Sequence, residues 1–456
     1  MIDLLKKAAN YLATPIGNYH SPFEHITRDG KVERLTNKGN DLRYKKQYKL
    51  ALEQYTAAIE LNSEDFMAYY NRALTHFYLD DFEATVLDAH KVIQLQPNYL
   101  NIYYYLALAQ SNLEDHKTAL ETTLKALAID SSHAFTYAAR AFVKDATGDF
   151  EAALKNLDKA IQLLDNNAYL YNYRGHIQLK LKNHARAILD FNQALSIDAL
   201  YFEAYIKRGC AYTRLGNHNS AALKDFNQAI SIRPDDYLGY YNRGTSYHTL
   251  GETEAALSDY DKSIELNPDY LLAYLSRGLL HAEFVEDYSA ALKDYNKVIY
   301  SDTDNQDYLE NGYSYRATLR SKLGDVLGAI RDYSKVIELN PSSTLAYNNR
   351  AYYYNKVKEY EAAILDCNQA IELDPEYAYP YNNKGYAQFK LGDCEAALEN
   401  CNCSMQLDMN NAYVYYYRAL ILKKLGKDSM SKINLQKANL MQFPEKDRDL
   451  EAEALI

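Results

Sequence analysis

Small and apolar residues recur along the chain at intervals of about 34 residues, and each interval holds two stretches with helical spacing. The clearest marker is a tyrosine that stands four places before a glycine or alanine. If each unit is numbered so that this tyrosine is position four, the markers are Tyr69, Tyr103, Tyr137, Tyr171, Tyr205, Tyr240, Tyr274, Tyr313, Tyr347, Tyr381 and Tyr415. Leu35 holds the same place in a first unit, so twelve units run from about Val32 to Pro444.

Two further positions in each unit are small, and a third is often aromatic. Position eight is always glycine or alanine, and position twenty is alanine in ten of the twelve units. Position twenty-four often carries an aromatic ring, as at Phe191, Phe226 and Tyr333. Turn residues separate the two halves of a unit, and a proline such as Pro268 or Pro375 often closes it. This pattern predicts two antiparallel helices, A and B, which approach closely at the small residues and stack on the next unit.

The pattern resembles the tetratricopeptide repeat (TPR) family, with tyrosine in place of the usual tryptophan at position four. The resemblance covers roughly nine-tenths of the chain. It implies an all-α fold, a right-handed α-solenoid (superhelix) of tandem antiparallel helix pairs. The predicted organisation is an N-terminal amphipathic helix and capping segment at 1–31, repeats 1–8 at 32–305, an insertion or hinge at 306–309, repeats 9–12 at 310–444 and a capping tail at 445–456.

Three places depart from the regular repeat length. Repeats 6 and 8 carry one extra residue before Ala222 and Ala291, which we expect to lengthen the turn between helices A and B. Four extra residues lie within 302–309, before repeat 9. Because four residues are close to one helical turn, they either extend the next helix A or form a hinge. Of these two alternatives we favour the extra turn.

Composition and charge narrow the classes of function. The chain has 50 basic and 61 acidic residues, a net charge of −11, and no run of Lys and Arg that could follow a phosphate backbone. No stretch approaches the ~20 consecutive apolar residues that span a bilayer. The five cysteines do not have the spacing of a disulfide framework and fit a reducing compartment. We therefore expect a cytoplasmic protein that binds neither nucleic acid nor membranes.

The TPR resemblance implies that the A helices line a concave groove, which would hold a protein partner or an extended peptide. Asparagine both donates and accepts hydrogen bonds, and tyrosine adds contact area and a hydroxyl, so both residue types suit a peptide backbone. The predicted groove residues are Asn37, Asn40, Tyr70, Asn71, Tyr104, Tyr105, Asn172, Tyr173, Lys207, Tyr241, Asn242, Tyr315, Asn348, Asn349, Asn382, Asn383, Tyr416 and Tyr417. The four asparagines of repeats 10 and 11 are expected to form one solvent-facing polar patch.

Two narrower resemblances concern the same positions. The asparagines at position six are similar to the asparagine ladder in the repeat domain of O-linked N-acetylglucosamine transferase, from which only the holding of a peptide is expected here. Asn40 and Asn71 also match part of the carboxylate clamp of chaperone adaptors. Thr36, Asn101 and Tyr105 stand where that clamp has cations, so a carboxylate would lack its charge-assisted partners.

A row of cations at position seven is the most conspicuous charged feature, because the family prefers leucine there. The row and a matching set of aspartates at position twenty-three comprise Arg72, Arg140, Arg174, Arg208, Arg243, Arg277, Arg316, Arg350 and Arg418, and Asp88, Asp190, Asp225, Asp259, Asp294, Asp332 and Asp366. Each of these aspartates shares its repeat with one of the arginines. We therefore predict ion pairs inside the hairpins, with at least five of the seven formed, rather than a phosphate-binding ladder.

No motif for catalysis, a cofactor or a metal stands out. Cys394, Cys401 and Cys403 cluster without zinc-site spacing, while Cys367 and Cys401 occupy the position twenty-four that we expect to be buried. The leading hypothesis is a non-catalytic adaptor that holds an extended segment of a partner protein. The alternatives are an architectural spacer within an assembly, or a secreted bacterial effector, since the tail LEAEALI loosely resembles type IV secretion signals.

Overall fold

The computed structural model describes residues 28–216, 219–442 and 444, and these residues form helices and turns without any strand. The α-helices are α1 (Arg28–Tyr44), α2 (Tyr48–Leu61), α3 (Phe66–Tyr78), α4 (Phe82–Leu95), α5 (Leu100–Asn112), α6 (His116–Ile129), α7 (Ala134–Ala146), α8 (Phe150–Leu163), α9 (Ala168–Lys180), α10 (His184–Ile197), α11 (Phe202–Arg214), α12 (Asn219–Ile232), α13 (Tyr237–Thr249), α14 (Thr253–Leu266), α15 (Leu271–Leu280), α16 (Tyr288–Ile299), α17 (Gln306–Lys322), α18 (Val326–Leu339), α19 (Thr344–Lys356), α20 (Tyr360–Leu373), α21 (Ala378–Leu391), α22 (Cys394–Leu407), α23 (Ala412–Lys424) and α24 (Asp428–Leu440).

Odd-numbered helices are the predicted A helices and even-numbered ones the B helices, so the twelve helix pairs follow the twelve repeats of the sequence. Helices that follow each other in the chain pack together from α1 to α12 and from α14 to α24. The predicted all-α solenoid of tandem antiparallel helix pairs is therefore confirmed. The expected amphipathic helix before residue 28 and the expected capping tail at 445–456 lie outside the described residues.

The described chain divides into two compact units, the first ending at Ser246 and the second beginning at Tyr247. The first unit holds α1 to α12 and most of α13, and the second holds the end of α13 and α14 to α24. Each unit has its own buried clusters of alanine, leucine and aromatic side chains between the A and B helices. Each unit is therefore a stack of helix pairs whose core is a series of buried clusters along the stack.

The small residue at position eight is matched to the side chain at position twenty-four of the same repeat. A Cβ atom added at Gly175 would lie 2.7 Å from the ring of Phe191, and one added at Gly209 would lie 2.5 Å from the ring of Phe226. Glycine therefore makes room for the aromatic ring of helix B in these two repeats. Alanine fits at Ala351, because the facing residue is the smaller Cys367.

The tyrosine at position four ties each repeat to the turn that precedes it. The Tyr103 hydroxyl donates a hydrogen bond to the carbonyl oxygen of Pro97 at 2.8 Å, and Tyr381 does the same to Pro375 at 3.1 Å. Equivalent bonds join Tyr137 to Ser131, Tyr205 to Ala199, Tyr240 to Pro234 and Tyr274 to Pro268. A phenol supplies a donor at the tip of the ring, which accounts for tyrosine at this position.

The extra residues of repeats 8 and 9 are accommodated within helices. In repeat 6, four residues separate α11 from α12, against three between α9 and α10, as the predicted longer turn requires. Helix α17 is 17 residues long, against 13 for α19, so the four inserted residues form the extra helical turn that we favoured. In repeat 8 the additional residue lies in a π-helical turn, His281–Val285, which ends at Glu286 in a left-handed conformation. This turn replaces the simple lengthening of the loop that we expected.

Candidate binding surface on the A helices

The predicted groove residues are much less exposed than the sequence suggested. Eleven of the eighteen are buried, namely Tyr70, Asn71, Tyr104, Tyr105, Asn172, Tyr173, Asn348, Asn382, Asn383, Tyr416 and Tyr417. Six are half-buried, namely Asn40, Lys207, Tyr241, Asn242, Tyr315 and Asn349, and Asn37 is exposed. The expectation that positions five and six face solvent is therefore wrong for most repeats.

Contacts between neighbouring A helices explain this burial. The ring of Tyr70, at position five of repeat 2, lies 6.2 Å from that of Tyr105, at position six of repeat 3. The ring of Tyr104, at position five of repeat 3, lies 5.9 Å from that of Phe135, at position two of repeat 4. Position five of one helix A thus packs against position six or two of the next. Stacking the repeats covers the side chains that a single helix would expose.

The asparagines of repeats 10 and 11 form a hydrogen-bonded chain rather than an open patch. Asn383 Nδ2 donates to Asn348 Oδ1 at 3.0 Å, and Asn348 Nδ2 donates to Asn349 Oδ1 at 3.2 Å. Asn349 Nδ2 then donates to the Tyr333 hydroxyl at 3.2 Å. The chain joins repeats 9, 10 and 11, so these amides already serve the stacking of the repeats. The buried Asn382 Oδ1 has no partner among the described residues.

Tyrosine rings close the corresponding surface in repeats 2 to 5. Tyr70 and Tyr99 pack edge to face with centroids 4.9 Å apart, and Tyr104 and Tyr105 do so at 5.2 Å. Burial raises the pKa of the Tyr105 hydroxyl well above its ordinary value. Asn172 lies in the same wall, fully buried, and its Nδ2 donates to the Tyr201 hydroxyl at 3.2 Å. These side chains form a core between repeats.

The asparagines of the two narrower resemblances also have partners within the fold. Asn40 Oδ1 accepts a hydrogen bond from the Tyr55 hydroxyl at 2.8 Å. Asn71 Nδ2 donates to the carbonyl oxygen of Met67 at 2.9 Å, one helical turn earlier. Asn242 makes the same bond to Leu238 at 2.8 Å. The amides of Asn71 and Asn242 therefore bind their own helix before they could bind a peptide.

A polar stretch of the A-helix surface remains partly exposed in the first unit. It comprises His176 of α9, Lys207, Cys210 and Arg214 of α11, and Tyr241 and Asn242 of α13, and we refer to it as the repeat 5–7 face. Cys210 Sγ lies 3.2 Å from Asn242 Oδ1, which joins the faces of α11 and α13. Below them, the hydroxyl oxygens of Thr213 and Ser246 lie 3.0 Å apart. Three successive A helices therefore present polar groups side by side.

Two titratable side chains of the repeat 5–7 face are strongly shifted. Burial and, to a smaller extent, the nearby ammonium groups of Lys207 and Lys180 together lower the pKa of His176 to about 3. Burial raises the pKa of the Cys210 thiol to about 11, although Arg214 and Lys207 favour its thiolate. At neutral pH the imidazole is therefore uncharged and the thiol protonated, while the lysines and the arginine supply the charge.

A buried carboxylate lies beneath this face. Asp145, at the end of α7, accepts hydrogen bonds from Lys180 Nζ and from the Tyr173 hydroxyl, the latter at 3.3 Å. The ammonium of Lys180 also lies 5.4 Å from the centre of the Phe150 ring. A buried charge needs such partners, because its transfer from water costs several kcal/mol. The Asp145–Lys180 pair therefore fixes repeat 4 against repeat 5.

The arginines at position seven form the predicted ion pairs. Arg72, Arg174, Arg208, Arg277, Arg316 and Arg350 each contact the aspartate of their own hairpin, with N–O distances of 2.6 to 2.8 Å. Most pairs are two-pronged, since both Nε and Nη2 donate to the carboxylate. The prediction that at least five of the seven pairs form is confirmed.

The same arginines reach a second partner that the sequence reasoning missed. Arg208 Nη1 donates to Asn192 Oδ1 at 2.6 Å, and Arg350 Nη1 donates to Ser334 Oγ at 3.0 Å. In both cases the acceptor stands at position twenty-five of the preceding helix B, as do Thr56, Asp158, Asn227, Asp261, Asn296 and Asn402. A short polar side chain recurs at this position, which is the signal that would have revealed the link.

Models of the tetratricopeptide repeat match residues 139–202, 202–236, 237–270 and 344–377, and a model described as TPR repeat matches 39–79. These matches fall on the helix pairs described above, at the same period. The chain is a tetratricopeptide repeat protein. TPR arrays serve in general as scaffolds for protein interactions, and the fold of this TPR protein supports that general role.

This TPR protein is similar to the following two relatives over short segments and to the following solved structure over most of its length. Small glutamine-rich tetratricopeptide repeat-containing protein 2 of Saccharomyces cerevisiae is 33% identical over 78 residues, 17% of this chain and 22% of that protein. Sperm-associated antigen 1 of Rattus norvegicus is 36% identical over 70 residues, 15% of this chain and 8% of that protein. The crystal structure of yeast Tom70 is similar with a TM-score of 0.44 at 15% identity, over 94% of this chain and 99% of that chain.

In the described part of this TPR protein, no group of three or more His, Cys, Asp or Glu residues is placed to hold a metal ion. All five cysteines are free thiols, and Cys367 and Cys401 are buried as predicted. Within the described ranges, no helix combines the length and apolar character that crossing a bilayer requires. TPR repeats are in general non-catalytic scaffolds.

Proposed function

We propose that this TPR protein is an adaptor that holds an extended segment of a partner protein against the repeat 5–7 face. The observation that carries the proposal is the difference in burial along the A helices. Tyrosine and asparagine side chains at positions five and six are buried in repeats 2, 3 and 5 and, apart from Asn349, in repeats 10 and 11. By contrast, Lys207, Tyr241 and Asn242 stay half-buried on the adjacent helices α11 and α13.

The chemistry of this face suits a peptide backbone with polar side chains. Tyr241 offers a rigid ring with a hydroxyl, which gives contact area at a low entropic cost. Arg214, which is exposed on α11, offers donors that can bind carbonyl or carboxylate oxygens. A segment crossing α9, α11 and α13 would meet one helix about every three residues, because neighbouring helices lie ~10 Å apart and an extended chain rises ~3.3 Å per residue.

Site-specific photocrosslinking tests where the partner binds. A photoreactive phenylalanine analogue in place of Tyr241 is expected to form adducts with a partner protein in cells that express the full chain. The matched control carries the analogue in place of Leu189, an exposed residue of helix B in the same unit. Adducts at position 189 in the absence of adducts at position 241 would contradict the proposal.

Alanine variants then test whether the face contributes to affinity. The double variant Tyr241→Ala with Asn242→Ala removes a ring and an amide, so we expect a loss of about tenfold or more in affinity for the crosslinked partner. Leu189→Ala with Lys224→Ala is the control on helices α10 and α12. Both proteins should keep their helical circular dichroism. Equal affinity of both double variants would count against binding at this face.

An architectural spacer is the second candidate, and the arginine links favour it. Arginines at position seven such as Arg208 and Arg350 join their own hairpin to the preceding helix B, which stiffens the stack. A spacer would bind its neighbours through helix B or the ends of the array. Adducts confined to position 189 in the crosslinking experiment are the result that this alternative predicts.

We also propose a cytoplasmic location. Cys210 and Cys403 are partly exposed thiols without a disulfide, and such thiols are typical of a reducing compartment. Fractionation of cells followed by thiol labelling of the native protein tests this: labelling of reduced protein in the cytosolic fraction is expected. Recovery of the protein in a secreted fraction would instead favour the effector hypothesis.

A further inference from the structure

Apolar side chains are exposed at many of the turns between helix A and helix B. Position fourteen is leucine in eight of the twelve repeats, and six of these leucines are 38% to 48% exposed. Repeat 8 instead has Phe284 at this position, followed by Val285, with exposures of 55% and 45%. In the other repeats a glycine or a charged residue follows position fourteen. The π-helical turn His281–Val285 therefore presents two large apolar side chains where other turns present one.

Contacts join this turn to the turns of repeats 7 and 9 within the second unit. The ring of Phe284 lies edge to face with that of His248, at the end of α13, with centroids 5.6 Å apart. On the other side, Lys322 Nζ of repeat 9 donates to the carbonyl oxygen of Ala282 at 3.5 Å. The exposed apolar residues of the three joined turns, which we call the turn patch, are Leu250, Phe284, Val285, Leu323 and Leu327. A group of exposed apolar side chains marks a contact surface, whereas a single one does not.

The rim of the turn patch is acidic. Glu283 and Glu286 flank Phe284 and Val285 in the chain, Glu252 stands two residues after the first leucine of the patch, and all three glutamates are exposed. Within the described residues, none of the three forms an ion pair. Their charges exceed the single charge of Lys322, and burial lowers the pKa of a nearby imidazole, that of His248, so that it is neutral at pH 7. A partner with lysine or arginine side chains therefore matches this rim.

We infer that the turn patch binds an amphipathic helix of a partner protein, whose apolar stripe packs on Phe284 and Val285 and whose basic side chains meet the glutamates. Neighbouring repeats lie ~10 Å apart, so three turns span ~20 Å, the length of a helix of about fourteen residues. The patch offers apolar side chains and carboxylates but no row of amides, so its ligand must satisfy its own backbone hydrogen bonds, as a helix does.

This inference goes beyond the proposed function and does not depend on it. The repeat 5–7 face belongs to the first unit and suits an extended segment, whereas the turn patch belongs to the second unit and suits a helix. An adaptor needs two such surfaces to join two proteins. The acidic rim also distinguishes the patch from a surface for anionic lipids, which attract basic side chains.

Labelled peptides test the inference with the full chain. The probe is a fluorescein-labelled peptide of roughly sixteen residues, with leucines three and four apart and lysine, alanine and glutamine at the other positions. One control has the same composition in an order that forms no apolar stripe, and a second has glutamate in place of lysine. By fluorescence anisotropy at about 50 mM salt, the probe is expected to bind at least about tenfold more tightly than either control.

Matched protein variants locate the binding. Phe284→Ser with Val285→Ser should weaken binding of the probe by about tenfold or more. The control, Leu113→Ser with Leu391→Ser, removes two exposed leucines at position fourteen of repeats 3 and 11 and should change nothing. Circular dichroism checks that both variants keep their helices. If the first variant lost helix content, Leu323→Ser with Leu327→Ser would provide the same test in repeat 9.

Charge variants test the rim separately. Glu283→Gln with Glu286→Gln should weaken binding of the lysine peptide by about threefold at low salt, because rim charges act mainly through attraction at a distance. Glu359→Gln with Glu361→Gln, the same change of charge at exposed positions of repeat 10, is the control and should have no effect.

Several results would overturn the inference: no measurable binding of the probe, equal binding of the reordered peptide, tighter binding of the glutamate peptide, or equal effects of the Phe284 and Leu113 double variants. Sedimentation of the natural protein provides one more test. A dimer that Phe284→Ser with Val285→Ser abolishes would show that a second copy covers the patch, and the inference would be wrong. Crosslinking at position 241 is read independently, so the proposed function stands or falls on its own result.

Discussion

Positions five and six of helix A are filled by tyrosine rings in repeats 2 and 3 and by asparagine amides in repeats 10 and 11. In the first region Tyr70, Tyr104 and Tyr105 pack edge to face. In the second, Asn383 Nδ2 donates a hydrogen bond of 3.0 Å to Asn348 Oδ1. Both sets are buried between neighbouring A helices. The same places in the repeat therefore serve stacking through two different kinds of contact, one apolar and non-directional, the other polar and directional.

The difference has consequences for how each region responds to change. An aromatic contact loses free energy in proportion to the volume removed, since a cavity remains. Truncating one amide of the hydrogen-bonded chain removes a hydrogen bond and leaves its partner unsatisfied. The cavity is smaller than that left by a ring, and the loss of free energy depends on the geometry of the bond. Between these extremes, the repeat 5–7 face keeps its polar groups partly exposed. Mutations at matched positions can separate the three cases.

The largest effect is expected from the aromatic region. Tyr105→Ala removes a fully buried ring that contacts Tyr70, Phe77 and Tyr104, so the free energy of unfolding should fall by about 3–5 kcal/mol. Chemical denaturation of the full chain measures it. Tyr379→Ala, at an exposed position two, is the control and should cost less than about 1 kcal/mol. Similar losses in both variants would show that the aromatic wall does not stabilise the stack.

The most buried ion pair comes next. Arg316 is buried and donates to Asp332 through Nε and Nη2, so Arg316→Ala leaves that carboxylate with Arg320 as its remaining partner. We expect a loss of about 2–4 kcal/mol by thermal or chemical unfolding, somewhat below the full cost of an unpaired buried charge.

The control for this pair is Arg331→Ala, an exposed residue of α18 whose contact with Asp325 is 4.0 Å long. Surface pairs contribute ~0–1 kcal/mol, so this variant should unfold almost as the natural protein does. If Arg316→Ala were as stable as Arg331→Ala, the ion pair would contribute nothing to the hairpin.

The amide region should respond more weakly. Asn383→Ala removes the donor to Asn348 Oδ1 and should lower the free energy of unfolding by about 1–3 kcal/mol. The double variant with Asn348→Ala should lose less than the sum of the two single changes, because one hydrogen bond is shared. Asn37→Ala, at an exposed position six, is the matched control. Strict additivity would show that the two amides act independently.

His176 of the repeat 5–7 face should make the free energy of unfolding depend on pH. The pKa of His176 falls from 6.5 to about 3 in the folded protein, so between these values the unfolded chain binds more protons than the folded one. Its stabilisation is complete above pH 6.5 and is lost as the pH falls, at up to ~1.4 kcal/mol per pH unit. His176→Gln should flatten this part of the pH profile of stability, and His90→Gln, an exposed control, should not.

The repeat period, the helix pairs and the arginine–aspartate pairs could all be predicted from the sequence, because each depends on contacts within one hairpin. Positions seven and twenty-three are about sixteen residues apart in every repeat, so Arg208 and Asp225 could be paired without knowing how repeats stack. Burial of Asn383 and Tyr105 depends instead on how closely neighbouring A helices approach. That distance is set by many side chains together, so the residue types alone gave the wrong prediction that these positions face solvent.

The partner of Arg208 in the preceding repeat shows the same limit. Asn192 is a short polar residue on helix B, and nothing in its own repeat explains it. Comparison across repeats would have shown a polar residue at that place in most of them. The π-helical turn at His281–Val285 was less accessible, since one inserted residue fits either a longer loop or a wider helical turn.

Arginines such as Arg208 bind both their own hairpin and the preceding helix B, and this affects how the array unfolds. When the guanidinium of one repeat binds both its own hairpin and the one before it, the two repeats tend to unfold together. This is the nearest-neighbour coupling that makes linear arrays cooperative. Repeats 11 and 12 carry Asn400 and Asn434 where most others have aspartate. In repeat 12, Arg418 donates to the amide oxygens of Asn402 and Asn434 and not to a carboxylate. Repeats 3 and 4 carry Thr122 and Asn156 at that position, and the buried cluster that contains Tyr104 and Tyr105 holds them together instead. Fraying, and the fastest hydrogen exchange within the second unit, should therefore begin at its C-terminal repeats and stop where the first carboxylate-bound arginine is reached.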